Sequence, residues 1–300
     1  MLDFQDIDAI KKIDPQNTLE STELAVEQFK AAWKEVQNLT ITQNYHEVNS
    51  IVFCGMGASI YGALVIKALE GAQFAYPTEI VTDYHLPSYV GEDTLVVLTS
   101  YSGSTEEVLS CAKEAKEMGA KMVVLTKGGK LATFAKDNNI PAYIFDGSLN
   151  PAGVPRLGNG YSIFGLMGLL HHLGIVTLDG SIIEQAIEFG QKIKERLKKQ
   201  AQEDVKKCVD TIPVIFAAEH LSGNAQILRN QFNETSKTFS AFYLVPDLNH
   251  HLMEGLAFPK EEPLTFFIFN SANYSEKIKK RMMLTRDVVK QNNRTVFDFN

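Results

Sequence analysis

The feature that most constrains the fold of this chain is the alternation of short apolar runs with segments of helical periodicity. The runs are Ile51-Val52-Phe53-Cys54, Ile80-Val81, Leu95-Val96-Val97-Leu98, Met122-Val123-Val124-Leu125 and Ala142-Tyr143-Ile144-Phe145. Helical stretches over 60–71, 103–119 and 129–138 separate most of them. Runs this short and this uniformly apolar suit strands buried on both faces of a parallel sheet, with helices as the covering layers. Ahead of them Val26, Phe29, Trp33 and Val36 step by three, four and three, so residues 1–50 are expected to be mainly helical.

The pattern then repeats. Helices are expected over 156–174 and 182–209, a strand at 214–217, a helix over 222–236, strands at 241–245 and 264–269, a helix over 274–291 and a strand at 295–297. The fold class read from this is α/β, with two doubly wound parallel-sheet subdomains. Asp146 to Gly160 holds Pro151, Pro155 and four glycines and reads as the link between them. The division is placed at 152/153, giving parts 1–152 and 153–300. A length of 300 residues suits two domains.

Charge and cysteine content narrow the function classes. With 29 basic and 36 acidic residues the net charge is −7, a poor balance for general nucleic-acid binding. The start, Met1 to Asp6, lacks the basic and apolar regions of a signal peptide. The longest apolar stretch, Tyr161 to Val176, is short for a membrane span and contains His171 and His172, which read as packing residues. Cys54, Cys111 and Cys208 are far apart and odd in number, so neither a disulfide framework nor a zinc spacing follows, and buried free thiols are expected. These features fit the reducing cytoplasm and give no indication of a membrane partner.

Four loops hold residues suited to chemistry. In the first, the apolar run 95–98 opens into Thr99-Ser100-Tyr101-Ser102-Gly103-Ser104-Thr105, and a helix follows. Hydroxyl donors at a helix N-terminus, with Gly103 allowing close backbone approach, suit a phosphate. No Gly-Lys-[Ser/Thr] follows, so this is not a nucleoside-triphosphate loop. Helix capping alone is the plain alternative, although four Ser/Thr hydroxyls between Ser100 and Thr105 exceed what a cap needs. The second loop, Gly55-Met56-Gly57-Ala58-Ser59, is a weak dinucleotide fingerprint, because its third glycine would fall at Ile60. Ser59 could add a hydroxyl to the same pocket, and a tight strand–helix turn accounts for the glycines equally well.

In the third, Arg156 follows Pro155 at the head of an apolar helix. A fixed cation there could stabilise a developing oxyanion, and a surface salt bridge explains it as well. In the fourth, Glu234 lies near the end of a polar helix and His250 sits in a loop sixteen positions on. A carboxylate and an imidazole brought together could move protons on a bound sugar. A solvated helix charge is the plain reading of Glu234. The pair His250-His251 lacks metal-ligand spacing, so no metal is expected.

Taken together, these pieces resemble the sugar isomerase (SIS) domain superfamily, and within it the bifunctional phosphoglucose/phosphomannose isomerases. The matching segments are Gly55-Met56-Gly57-Ala58-Ser59, Ser100-Tyr101-Ser102-Gly103-Ser104-Thr105-x-Glu107-Val108, Pro155-Arg156-x-x-x-Gly160-Tyr161, Asn233-Glu234-x-x-Lys237 and Leu248-Asn249-His250. They occur in the family's order and cover most of the chain. The resemblance implies two SIS-type, flavodoxin-like subdomains and an aldose–ketose isomerase. It would interconvert glucose-6-phosphate, mannose-6-phosphate or both with fructose-6-phosphate through an enediolate. It implies phosphate binding by Gly57, Ser59, Ser100, Ser102 and Thr105. Glu234 would be the base at C2, Arg156 the enediolate partner, and His250 the ring-opening group. A homodimer with His250 supplied across the interface is implied, with no metal or nucleotide cofactor. It also implies a last helix carrying a catalytic lysine. No residue up to Asn300 matches it, and Lys277 and Lys290 fall on an earlier helix. Two other readings keep the pocket: a non-catalytic phosphosugar sensor, and an isomerase of amino-sugar phosphates.

Overall fold

The computed structural model describes residues 6–41, 45 and 47–299; the Met1-to-Gln5 part of the N-terminal stretch read above, and Asn300, lie outside them. The helices are α1 (Ile7–Ile13), α2 (Thr18–Glu23), α3 (Ala25–Gln37), α4 (Tyr61–Glu70), α5 (Glu106–Glu117), α6 (Gly129–Asp137), α7 (Asn159–His172), α8 (Gly180–Cys208), α9 (Ser222–Glu234) and α10 (Glu276–Gln291). The strands are β1 (Ser50–Cys54), β2 (Thr78–Val81), β3 (Thr94–Ser100), β4 (Lys121–Thr126), β5 (Ala142–Ile144), β6 (Ile212–Ala217), β7 (Ala241–Leu244), β8 (Leu264–Phe269) and β9 (Thr295–Phe299). Each apolar run of the sequence forms a strand, and the two α/β layers expected from the alternation are present.

The first sheet has the order β2-β1-β3-β4-β5, and its strands are all parallel. Strands are added to one side of β1 first and then to the other, so the strand order reverses between β1 and β3, the place where open α/β sheets leave a crevice at the strand carboxyl ends. All seven residues of β3 are buried. One face of the sheet packs on Val108, Cys111, Ala112 and Ala115 of α5 and Leu131 and Ala135 of α6. On α7, glycines permit close approach. A Cβ at Gly165 would lie 2.6 Å from the Tyr143 ring, and one at Gly168 would lie 3.2–3.3 Å from Val36 and Trp33. This explains a helix that is apolar nearly all round: both of its sides are covered.

The second sheet has the order β7-β6-β8-β9, again parallel. Its strands alternate by twos. Phe216, Phe266 and Ile268 pack on Tyr274 and on Ile278, Met282 and Val289 of α10. Ile215, Ala217 and Phe267 pack on Ala225, Leu228 and Phe232 of α9. Both faces are thus covered by one helix layer each.

The chain divides into two compact units, residues 1–63 with 74–196, and residues 64–73 with 197–300. By packing, 153–196 stays with the first sheet, whereas the sequence reading drew the division at 152/153. The physical reason is α7, whose apolar surface is buried against α3 and the first sheet. Prolines and glycines at 146–160 therefore mark a shaped loop within the first unit. Cys54 and Cys111 are buried free thiols and Cys208 is half-buried. His171 packs, its ring 6.0 Å from Trp33, whereas His172 is exposed. Among the described residues no helix is long and apolar enough to cross a membrane.

The loop from β2 to β3 is fastened to α5 by Glu114. One carboxylate oxygen lies 2.7 Å from His85 Nδ1, and the other accepts from the Leu86 N–H at 2.8 Å. The hydrogen bond and charge of Glu114 raise the His85 pKa above 6.5. The Leu86 N–H, with His85, lowers that of Glu114 below 4.5. A raised histidine pKa means the contribution is fully present below the unfolded value and fades as pH climbs through the folded one. NMR titration of His85 is expected to give a midpoint above 6.5 that returns toward the free value in Glu114→Gln. An unchanged midpoint in the variant refutes the pairing.

Candidate active site

Two strand ends build the first part of the site. Thr99 Oγ1 donates to the Cys54 carbonyl at 2.9 Å, locking the ends of β3 and β1 side by side. A Cβ at Gly55 would lie 2.5 Å from that same Thr99 oxygen, so glycine is what the junction accommodates. The chain then enters a 3-10 turn over Gly57–Ile60. Gly57 has φ +55°, and the side on which a Cβ would project is open. Ser59 is buried, and its Oγ accepts the Tyr101 N–H at 3.1 Å. The two loops therefore meet directly.

Within the second loop the hydroxyls are arranged around one another. Ser100 Oγ lies 2.7 Å from Thr105 Oγ1 and accepts the Gly103 N–H at 3.0 Å. Ser102 is exposed, and its Oγ accepts the Ser104 N–H at 3.3 Å. Thr105 occupies the position before α5 in an extended conformation, yet its side chain makes no capping bond to the helix. Capping alone, the plain alternative raised by the sequence, is thus not how Thr105 is used. Glu106 and Glu107 occupy the first turn of α5 and complement its dipole. Gly103 has φ +68°, and its neighbour is the Gly128 carbonyl at the entry to α6. Its own carbonyl accepts the Leu131 N–H at 2.9 Å.

Arg156 lies in a 3-10 turn over Pro155–Leu157 and is half-buried. This turn packs on the one that carries Ser59, and Pro155, Ser59 and Tyr101 line one small cavity. The structure therefore brings Gly57, Ser59, Ser100, Thr105 and the Arg156 turn together at the carboxyl ends of β1 and β3, with Ser102 exposed beside them.

Glu234 and His250 belong to the second unit. Glu234 closes α9, and its carbonyl accepts from Lys237 Nζ at 2.6 Å. Lys237 itself has φ +54°. The neighbouring Asn233 amide donates to the Arg229 carbonyl at 2.8 Å and the Ser240 carbonyl at 3.1 Å, tying the end of α9 to the start of β7. His250 is exposed in a 3-10 turn over Asp247–His250. The turn is anchored on each side: Leu248 is fully buried, and Asn249 donates to Thr285 Oγ1 of α10 at 2.8 Å. His251 faces Asp247 at 3.5 Å. Among the described residues no three His, Cys, Asp or Glu side chains gather in a way that could hold a metal ion.

Three residues of the first unit escaped the sequence reading: Gln28, Asn150 and the Tyr101 side chain. Gln28 is fully buried on α3 and bonds to the segment 149–160. The signal was there in part, since Gln28, Ala32 and Val36 are spaced by four, and all three are fully buried. Of the apolar positions whose spacing indicated the helix, Trp33 and Val36 are buried and Val26 and Phe29 half-buried.

The chain matches known families in both units. Residues 44–142 match the SIS domain, and residues 197–300 match the bacterial phospho-glucose isomerase C-terminal SIS domain. A bifunctional phosphoglucose/phosphomannose isomerase of Caldicellulosiruptor bescii is 30% identical over 279 residues, covering 88% of this chain and 80% of that protein. Its counterpart in Aquifex aeolicus is 31% identical over 252 residues, covering 83% and 75%. Among solved structures, tagatose-6-phosphate ketose/aldose isomerase from Escherichia coli superposes with a TM-score of 0.68 at 16% identity, over 94% of this chain and 79% of that one, which establishes the shared fold. With both SIS units matched and relatives aligned across most of its length, this chain belongs to the bifunctional phosphoglucose/phosphomannose isomerase family.

Proposed function

We propose that this chain is a sugar-phosphate isomerase that interconverts glucose-6-phosphate, mannose-6-phosphate or both with fructose-6-phosphate. The observation that carries this is the hydroxyl cluster at the β1/β3 switch point, where Ser100 Oγ, Thr105 Oγ1 and Ser59 Oγ gather beside the uncapped start of α5. Hydroxyl donors, backbone N–H groups and a helix N-terminus together complement a phosphate. The phosphate lies far from the reacting carbons of a hexose, so gripping it can fix their position before chemistry begins.

The proposed steps use this chain's own side chains. His250 assists opening of the sugar ring. Glu234 takes the proton from C2 of the open aldose and returns it to C1, and the C2 hydroxyl proton passes to O1. In the reverse direction the same carboxylate works from C1 to C2. Arg156 faces the enediolate oxygen, where a fixed cation lowers the cost of the developing charge. Gly57, with open space beside it, leaves room at the mouth of the pocket. A homodimer in which each subunit supplies its His250 to its neighbour's site, from the family resemblance, and a cytoplasmic location, from the unpaired cysteines, complete the reading.

The test is isomerisation of fructose-6-phosphate in deuterated water, with solvent deuterium followed at C2 of the aldose product. The expected result is product carrying deuterium at C2. Binding of the sugar phosphate with neither turnover nor exchange would mean a sensor, and would end the enzymatic reading.

A further inference from the structure

Between the hydroxyl loop and the Arg156 turn lies a buried set of hydrogen bonds that no site role yet explains. The Gln28 side chain is fully buried on α3. Its Nε2 donates to the carbonyls of Leu149 and Leu157, each at 2.9 Å, and its Oε1 accepts the Gly160 N–H at 3.2 Å. Both amide hydrogens and the amide oxygen are thereby used, on backbone groups 121, 129 and 132 positions away in sequence. Gly160 has no room for a side chain, because a Cβ there would collide with Gln28 itself.

A second amide, Asn150, is 2% exposed and completes the bracket. Its Nδ2 donates to the Val154 carbonyl at 2.9 Å and to the Tyr101 hydroxyl at 2.8 Å. Tyr101 is part of the hydroxyl loop, and its own N–H is held by Ser59 Oγ. Arg156 is therefore bounded on one side by Val154, fixed through Asn150, and on the other by Leu157, fixed through Gln28. Through Tyr101 the same bonds reach the loop that carries Ser100 and Thr105. A polar amide buried without partners is costly, and the five hydrogen bonds made by the Gln28 amide and by Asn150 Nδ2 hold the segments they join in one arrangement.

We propose that Gln28 is a positioning residue which, with Asn150 and the Tyr101 hydroxyl, holds the Arg156 turn at a set distance from the anion-binding loop. This rests on the isomerase reading and on the role of Arg156 within it. Gln28 acts through the backbone on either side of Arg156 and touches no substrate. Its removal should therefore act on turnover more than on binding, since the ground-state grip on phosphate belongs to the hydroxyls.

A double-mutant cycle on the full chain tests this, with fructose-6-phosphate as substrate. Gln28→Met keeps the length and removes the amide. Its expected effect is a fall in kcat of roughly tenfold or more with KM changed less than about threefold, the signature of an interaction acting in the transition state. In an Arg156→Ala background the same change should lower kcat by less than about twofold, because the group it positions is gone. General damage to packing would multiply the loss in both backgrounds and overturn the proposal, as would a loss confined to KM. If Gln28→Met fails to fold, Tyr101→Phe, which deletes only the hydroxyl that Asn150 reaches, takes its place in the cycle. A loss of at least roughly threefold in kcat that vanishes in the Arg156→Ala background is then expected. The two levels fail differently. A parent protein that does not isomerise sinks the functional reading and this assignment with it; an active parent whose Gln28 and Arg156 effects simply multiply sinks the assignment alone.

Discussion

Glu234→Gln is expected to slow isomerisation on the order of 10²–10⁴-fold, the range typical of removing a proton-transfer group. The substitution preserves shape and deletes only the basic oxygen. The end of α9 keeps anchors that the substitution does not touch: Lys237 holds the Glu234 carbonyl, and Asn233 holds the carbonyls of Arg229 and Ser240. The variant should therefore fold, melt within a few degrees of the parent, and bind inorganic phosphate as the parent does. Deuterium at C2 of recovered aldose, measured over many parent turnovers, should fall with the rate. Exchange persisting within about twofold of the parent's would assign the base elsewhere.

Gly103→Ala is expected to be the most damaging single change in the hydroxyl loop. Two costs combine. An L side chain at φ +68° is strained by roughly 1–2 kcal/mol. The new methyl would also collide with the Gly128 carbonyl and come within 2.8 Å of Thr126 Oγ1. Neither obstacle is a flexible chain end, because Thr126 Oγ1 itself donates to Gly128 at 3.0 Å. Overpacking of this kind adds about 1–3 kcal/mol, so a total near 3 kcal/mol is expected. Any relaxation must shift Gly103 from Ser100 Oγ and from Leu131, which displaces the hydroxyls proposed to hold the phosphate. Thermal denaturation should show a clearly lower midpoint, and KM for fructose-6-phosphate should rise at least tenfold, roughly 1.4 kcal/mol in binding. A protein with unchanged midpoint and KM would show that the loop is not packed against Gly128 as described.

Much of the fold was legible because it is governed by local periodicity. The run Leu95 to Leu98 is uniformly apolar, since β3 is covered on both faces. Phe216 and Ile215 take opposite faces because a strand's side chains alternate. The hydroxyl cluster was legible for a related reason: a buried strand that ends in serine and a positive-φ glycine before a helix brings its hydroxyls together locally. The division at 152/153 followed the same kind of cue, the prolines and glycines of 146–160. Those residues mark a loop, but a loop does not say which core the next helix will join. That is decided by the fit of Gly165 and Gly168 against Tyr143, Val36 and Trp33.

The sequence by itself determined the succession of strands and helices, the two parallel layers and the hydroxyl cluster after β3, because each depends on residues near one another along the chain. Only the tertiary structure decided that Gln28 is a clamp for a segment more than a hundred residues away, that Thr105 bonds to Ser100 instead of capping its helix, and that α7 completes the first core. The reason is physical: what a polar side chain does when buried is set by the donors and acceptors that folding carries to it, and those come from distant parts of the chain.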